Sequence, residues 1–279
     1  MIFPAIREDA NRIYHSGLWF FEKNPKHPES HYFYHLPFTL DAICNKALVF
    51  HTNSDLVARR VGALAKIRNI SLETVVSPIE RLPCYGDAVE VSHSATAMNL
   101  DVFEKPINFG GEKGLFNYWH HVKASNPKAY TFMLAIWLSK VSLVAGFMRT
   151  EKTMYQHAWI DASLSRMDWR RSNWDISRVP IVGGKVSHYD SRMRMFGQQL
   201  PLTAGFLAAD AYMWNCLERL FKESLRSAKA MPYAHDEETI LANCVAKRPD
   251  WFFCIGNHYK QSDRLKNAKA KLIRRVKRH

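Results

Sequence analysis

The chain is poor in the features that would place it at a glance. Its five cysteines (Cys44, Cys84, Cys216, Cys244 and Cys254) are scattered through 279 residues with no CxxC pair. That pattern argues against a disulfide framework and against a cysteine zinc site. Neither GxGxxG nor GxxxxGKS/T occurs, so both glycine-rich phosphate fingerprints are missing. No uninterrupted apolar run approaches the ~18 residues of a membrane span. The longest, near Phe132–Phe147, is broken by Ser139, Lys140 and Ser142. Met1-Ile2-Phe3-Pro4, followed by Arg7, Glu8 and Asp9, does not read as a secretory leader, and a cytoplasmic location is expected. There is no internal repeat and no aromatic-and-glycine box of an RNA recognition fold.

What is present is a core. The chain is 47% hydrophobic and 13% aromatic, which excludes disorder except in local tails. Its length allows one large domain or two small ones. The net charge of +13 is unevenly placed. From Lys260 onward nine basic residues face a single acid, Asp263, so this stretch carries +8 of the total. Leu265, Ala268, Leu272 and Val276 can share one helical stripe there, with lysines and arginines around it. An anchor on an anionic membrane surface and a solvated tail are the two readings of this segment.

Taken in order, Ala5–Phe21 mixes polar and aromatic residues and is expected to be helical between Asp9 and Phe20. Tyr32–Ile43 contains Pro37, which speaks against a continuous helix. Ala47–Phe50 is a clear strand. Leu56–Lys66 is a helix that Asn53, Ser54 or Asp55 can cap, and Ile70–Val76 is a second strand. This strand–helix–strand order implies a βαβ unit and a parallel sheet. Ser77–Tyr118 is loop-rich and without firm periodicity. Ala129–Phe147 has the apolar spacing of a buried helix and leads to the strand His157–Ile160. Asp168–Arg178 is dense in Trp and Arg; it fits either a phosphate- or sugar-facing loop or a surface loop with its indoles turned inward. Ala211–Ser227 is strongly amphipathic, Glu238–Ala246 is a further helix, and Trp251–Ile255 is a last strand.

The strand His157–Ile160 ends on Asp161. In open α/β sheets ligands bind at the carboxyl ends of strands, which makes this carboxylate the first candidate for chemistry. A turn former or helix cap is the competing role for an Asp so placed. The same competition applies to Asp236 and Glu237, since acids in a helix's first turn commonly compensate its dipole.

Several segments together resemble the bacterial HtrL/WlaTC family of glycosyltransferases with the nucleotide-sugar-binding fold called GT-A. They are the lysine-bearing Tyr130–Lys140, the strand end Trp159-Ile160-Asp161, Thr203-Ala204-Gly205-Phe206, Asp236-Glu237-Glu238-Thr239-Ile240-Leu241 and Pro249-Asp250-Trp251-Phe252, in that order. The resemblance spans roughly residues 30–260. It implies one α/β domain over 1–259, with a Rossmann-like, mostly parallel central sheet flanked by helices, followed by a basic tail over 260–279. It implies transfer of a sugar, of the hexosyl type, from a nucleotide-sugar such as a UDP-sugar to a lipopolysaccharide, lipooligosaccharide or capsule acceptor. The protein would work in the cytoplasm, attached peripherally to the inner membrane.

Enzymes of this fold normally hold Mn²⁺ or Mg²⁺ on the donor diphosphate with an Asp-x-Asp motif, because a hard cation takes carboxylate ligands. Asp161 matches one carboxylate and Ser163 stands where the second would be; His258 is a further candidate ligand. By the same resemblance, Lys140, Arg166 and Arg170 would face the diphosphate and partly replace a weak metal site, while Gly205 would line the site on its acceptor side. Asp236 or Glu237 would lie by the transferred sugar, as general base if configuration inverts or as a stabilising group if it is retained. A nucleic-acid-binding protein and a non-catalytic transferase relative are the alternatives; no nucleic acid is expected, because the charge sits in one tail.

Overall fold

The computed structural model describes residues 12–22, 24, 27–97, 126–150, 156–167, 176, 179, 182–191, 194–195, 198–229 and 236–256. Three neighbouring strands form its first half: β1 (Arg12–Leu18), β2 (Ala47–Thr52) and β3 (Ser71–Val76). Helix α1 (Glu29–Asp41) lies between β1 and β2 in the chain, and α2 (Asp55–Ile67) links β2 to β3. Helix α3 (Tyr85–Ala97) and the long α4 (Pro127–Thr150) precede β4 (Gln156–Ile160). Then come β5 (Val186–Tyr189), a two-residue ladder of β6 (Arg194–Met195) with β7 (Gln198–Gln199), and β8 (Phe206–Ala209). Helices α5 (Ala211–Ala228) and α6 (Glu237–Lys247) and strand β9 (Phe252–Gly256) complete it.

The main sheet has seven strands in the order β3-β2-β1-β4-β8-β5-β9. All neighbours run parallel except β8, which is antiparallel to both β4 and β5. This is the α/β class expected, with a mostly parallel sheet. The expected βαβ unit is β2–α2–β3, and the side chain of Ser54 caps its helix by accepting from the Val57 N–H. Alternation along the strands makes two cores. Trp159, Val186, Leu207 and Ala209 face α3, α4, α5 and α6, whereas Ala158, Ile160, Phe206 and Ala208 face α1 and α2.

Three expectations need correction. The segment expected to be helical before Phe20 is the strand β1, held between β2 and β4. Its polar residues His15 and Ser16 are fully buried in mid-sheet, so they mimic the outer face of a helix without being one. Pro37 lies inside an unbroken α1. An internal proline costs about 3 kcal/mol, and burial of Leu36 and Leu40 at about 1.5–3 kcal/mol each is enough to offset it. Within the stretch read as loop-rich lies α3, which packs on α4, and Cys84, just before it, meets Ser142 of α4. Lys128–Arg149 is also long and apolar enough to cross a membrane by length and composition, with a mean hydropathy of 1.7. A scan for unbroken apolar runs overlooks it because the polar Ser139, Lys140 and Ser142 break the run; in the fold all three are buried.

Candidate functional site

Parallel β1 and β4 end side by side, at Leu18 and Ile160, and antiparallel β8 begins at the same rim. The Asp161 N–H donates to the Gly205 carbonyl at 2.9 Å, which fixes Asp161 just beyond the sheet. A cavity of about 90 Å³ opens here. Its walls include Trp19, Tyr32 and Trp137, with Lys140, Asp161, Ser163 and Arg166 among its polar groups. Helix α4 contributes Met133, Ile136, Trp137 and Lys140, one stripe at helical spacing. Gly17 makes room for the indole of Trp19, since a Cβ at 17 would stand 2.3 Å from the Trp19 ring.

Lys140 is the hub of the charged groups. Its Nζ donates to Asp161 Oδ1 and to Glu237 Oε1, both at 2.8 Å. The Trp159 indole N–H adds a bond to the same Oδ1 at 3.0 Å. Among the described residues the Asp161 carboxylate accepts from these two side chains and caps no turn. Burial alone would strip the charge from Lys140, but the two carboxylates outweigh it and hold the ammonium protonated above its ordinary range. Burial would also raise the Asp161 carboxyl; Lys140, then Arg166, overcome that and keep it below the usual range.

The start of α6 braces this group twice. Asp236 is its N-cap and accepts from the Thr239 N–H at 2.8 Å and from the Thr239 hydroxyl. Glu237 reaches Lys140. Glu238, next along, is half-buried and accepts from the Ser191 hydroxyl at 2.6 Å, the Thr203 hydroxyl at 3.0 Å and the Ala204 N–H at 3.1 Å. Thr203 in turn accepts from the Gly205 N–H at 3.3 Å. Glu237 therefore meets Asp161 through a side chain, and Glu238 meets it through the 203–205 backbone. Burial first, and the charge of Glu237 second, push the Glu238 carboxyl up to about 7.

Of the residues singled out in the sequence, Asp161, Lys140 and Glu237 come together directly. Arg166 joins them across the cavity, Gly205 binds through its backbone, and Asp236 sits behind as a cap. Arg170 and His258 lie outside the described residues, as do most of the Trp- and Arg-rich loop and the basic tail. Glu238 was legible only as one of three successive acids. Trp19 and Tyr32 fall in segments whose local pattern gives no hint of a cavity.

No protein-family model matches the chain, and no curated protein does. Among solved structures it is similar to core-mannan synthase A of Aspergillus fumigatus in a Mn/GDP form, with a TM-score of 0.48 and 8% identity, over 88% of this chain and 73% of that one.

Proposed function

We propose that this protein is a glycosyltransferase that moves a sugar from a nucleotide-sugar donor to a glycan acceptor. The carrying observation is Asp161. It is an ionised carboxylate at the carboxyl end of β4, in a cavity that pairs aromatic faces with Lys140 and Arg166. Indole and phenol faces suit bases and sugar rings, and the cations suit a diphosphate. One strand reversal, at β8, brings Gly205 to the same rim, so the cavity has a wall beyond the parallel strands.

In this reading Lys140 offers the diphosphate its remaining N–H while Asp161 and Glu237 hold it still. Glu237, held beside the Lys140 ammonium behind the cavity lining, is our candidate to take a proton from the acceptor hydroxyl if the anomeric centre inverts; if it is retained, the same charge steadies the developing cation on the sugar. Asp236 caps α6 just before Glu237, whose carboxylate Lys140 holds.

The fold's usual divalent cation fits the described residues poorly. Asp161 Oδ1 is already shared by Lys140 and Trp159, Ser163 replaces the second carboxylate, and among the described residues no three His, Cys, Asp or Glu side chains converge as a metal site. We propose further that the acceptor is a bacterial surface glycan, the donor a UDP-sugar, and residues 260–279 a cationic hold on an anionic inner-membrane surface.

The test is a thermal-shift panel of UDP, GDP, CDP and their sugars, each with and without Mn²⁺. At a hundredfold excess over Kd a ligand contributes about 2.7 kcal/mol, and a shift of roughly 5 °C is expected. Asp161→Asn should abolish it. No shift with any nucleotide would overturn the proposal.

A further inference from the structure

The ladder between β1 and β2 ends on the pair Leu18 and Thr52. Beyond it the chain runs on through Trp19, Phe20 and Phe21, outside any strand. Two of these three, Trp19 and Phe21, line the cavity that holds Asp161, and Phe20 between them does not. An aromatic wall keeps its place only if the backbone beneath it is held. Past a strand end, the N–H and C=O groups must find partners other than the ladder.

Asn53 supplies both partners for Phe20. Its Oδ1 accepts from the Phe20 N–H at 3.0 Å, and its Nδ2 donates to the Phe20 carbonyl at 2.7 Å. These are the two bonds that a residue of a neighbouring antiparallel strand would exchange with Phe20, so one side chain prolongs the sheet by a residue. Only one orientation of the amide makes both. Asn53 can serve because its neighbours take the other tasks. Thr52 is fully buried and its hydroxyl accepts from the Ser54 N–H at 3.3 Å, while the Ser54 side chain caps α2. The base of the clamp is thus fixed to β2 and α2 together. Phe20 is also gripped through its ring, stacked on Phe33 with centroids 6.0 Å apart and edge-on to Tyr32 at 6.1 Å. With Phe20 turned to α1, the residues on either side of it face the cavity.

We infer that Asn53 is a positioning residue of the site. By holding the backbone of Phe20, it sets Trp19 and Phe21 as the wall against which the ring of a bound ligand, base or sugar, lies. Asn53 is not itself among the described residues that line the cavity, and it acts only through Phe20. This rests on the nucleotide-sugar reading above and adds to it the residue that gives the aromatic wall a fixed place.

The experiment is titration calorimetry of wild type, Asn53→Ala and Asn53→Asp with UDP, GDP and inorganic pyrophosphate, at pH about 7.5, where an aspartate is ionised. It is paired with hydrogen exchange across the full chain. Asn53→Ala should bind the nucleotides about tenfold more weakly, yet bind pyrophosphate, which has no ring, as the parent does. Its Phe20 amide should exchange faster while the strands keep their protection. Asn53→Asp keeps the parent's shape and an acceptor for the Phe20 N–H, but sets a carboxylate against the Phe20 carbonyl where a donor is needed. It should bind nucleotides no better than Asn53→Ala. Parental nucleotide affinity in either variant overturns the inference and leaves the transferase reading standing. So does a loss of pyrophosphate affinity as large as the loss for nucleotides, or an unchanged Phe20 amide in Asn53→Ala. Failure of every nucleotide to bind wild type removes the transferase reading and this inference with it.

Discussion

Lys140 holds two carboxylates together in a place nearly closed to water, and its removal should be felt far more than the removal of either partner. Lys140→Met leaves Asp161 and Glu237 without the ammonium that both bind, and only Arg166 still acts on Asp161. Breaking a buried pair in this way costs about 3–5 kcal/mol. Glu237→Gln leaves the Lys140–Asp161 bond intact and should cost well under half as much. Urea unfolding of the two variants checks the order; equal losses would mean that Glu237 carries the triad. Glu238 makes a separate prediction. Its folded carboxyl is raised to about 7 from 4.5, so the folded state holds a proton that the unfolded chain gives up. The associated stability is present below 4.5 and is lost as pH rises through about 7. Glu238→Gln imitates the protonated form, keeping an acceptor for Ala204 and Thr203 and a donor for Ser191. Its melting temperature should lack the decline toward pH 7 that the parent's Glu238 imposes.

Among the elements, β1 matters most for the site and was the hardest to read. Its burial hides His15 and Ser16 inside the sheet, and the residue that shapes the cavity, Gly17, has its reason only in space. Gly17→Ala would put a methyl 2.3 Å from Trp19 Cη2 and 3.0 Å from the His51 carbonyl. The indole must move, at about 1–3 kcal/mol, and the wall of the cavity moves with it. We expect a lower urea midpoint, altered tryptophan fluorescence and weaker nucleotide binding; unchanged values would show that the indole has room to spare. By contrast, β2–α2–β3 and α5 were plain in the sequence. Ser54 and Asp210 cap their helices by local chemistry, and the apolar stripe of α5 repeats cleanly. Asp161 could be singled out because a strand ending on a carboxylate is a local pattern. The partnership of residues 140, 161 and 237 could not, since 97 positions separate Lys140 from Glu237. Nothing around Phe20 announces that an amide 33 residues beyond it would hold its backbone.

At the scale of the whole molecule, acid should loosen the sheet from within. His15, His51 and His157 cluster where β2, β1 and β4 face α4, with His15 Nε2 and His157 Nδ1 2.9 Å apart. Burial lowers all three, His51 and His157 to about 4 from 6.5. Their contribution to stability is present above 6.5 and is lost as pH falls through about 4. Three such protons outweigh the single opposing one of Glu238, so the urea midpoint should drop between pH 6.5 and 4. A flat profile would show the histidines reachable by water.

Helix α4 carries a consequence of another kind. It is greasy enough to satisfy a lipid bilayer, yet in the finished protein it lies between α3, made before it, and α5, made after it. During synthesis one flank is covered at once while the other waits bare until the chain has passed Ala228. A truncation stopping short of Ala211 would leave that flank permanently uncovered, and such a fragment should be found in vesicles or in aggregates.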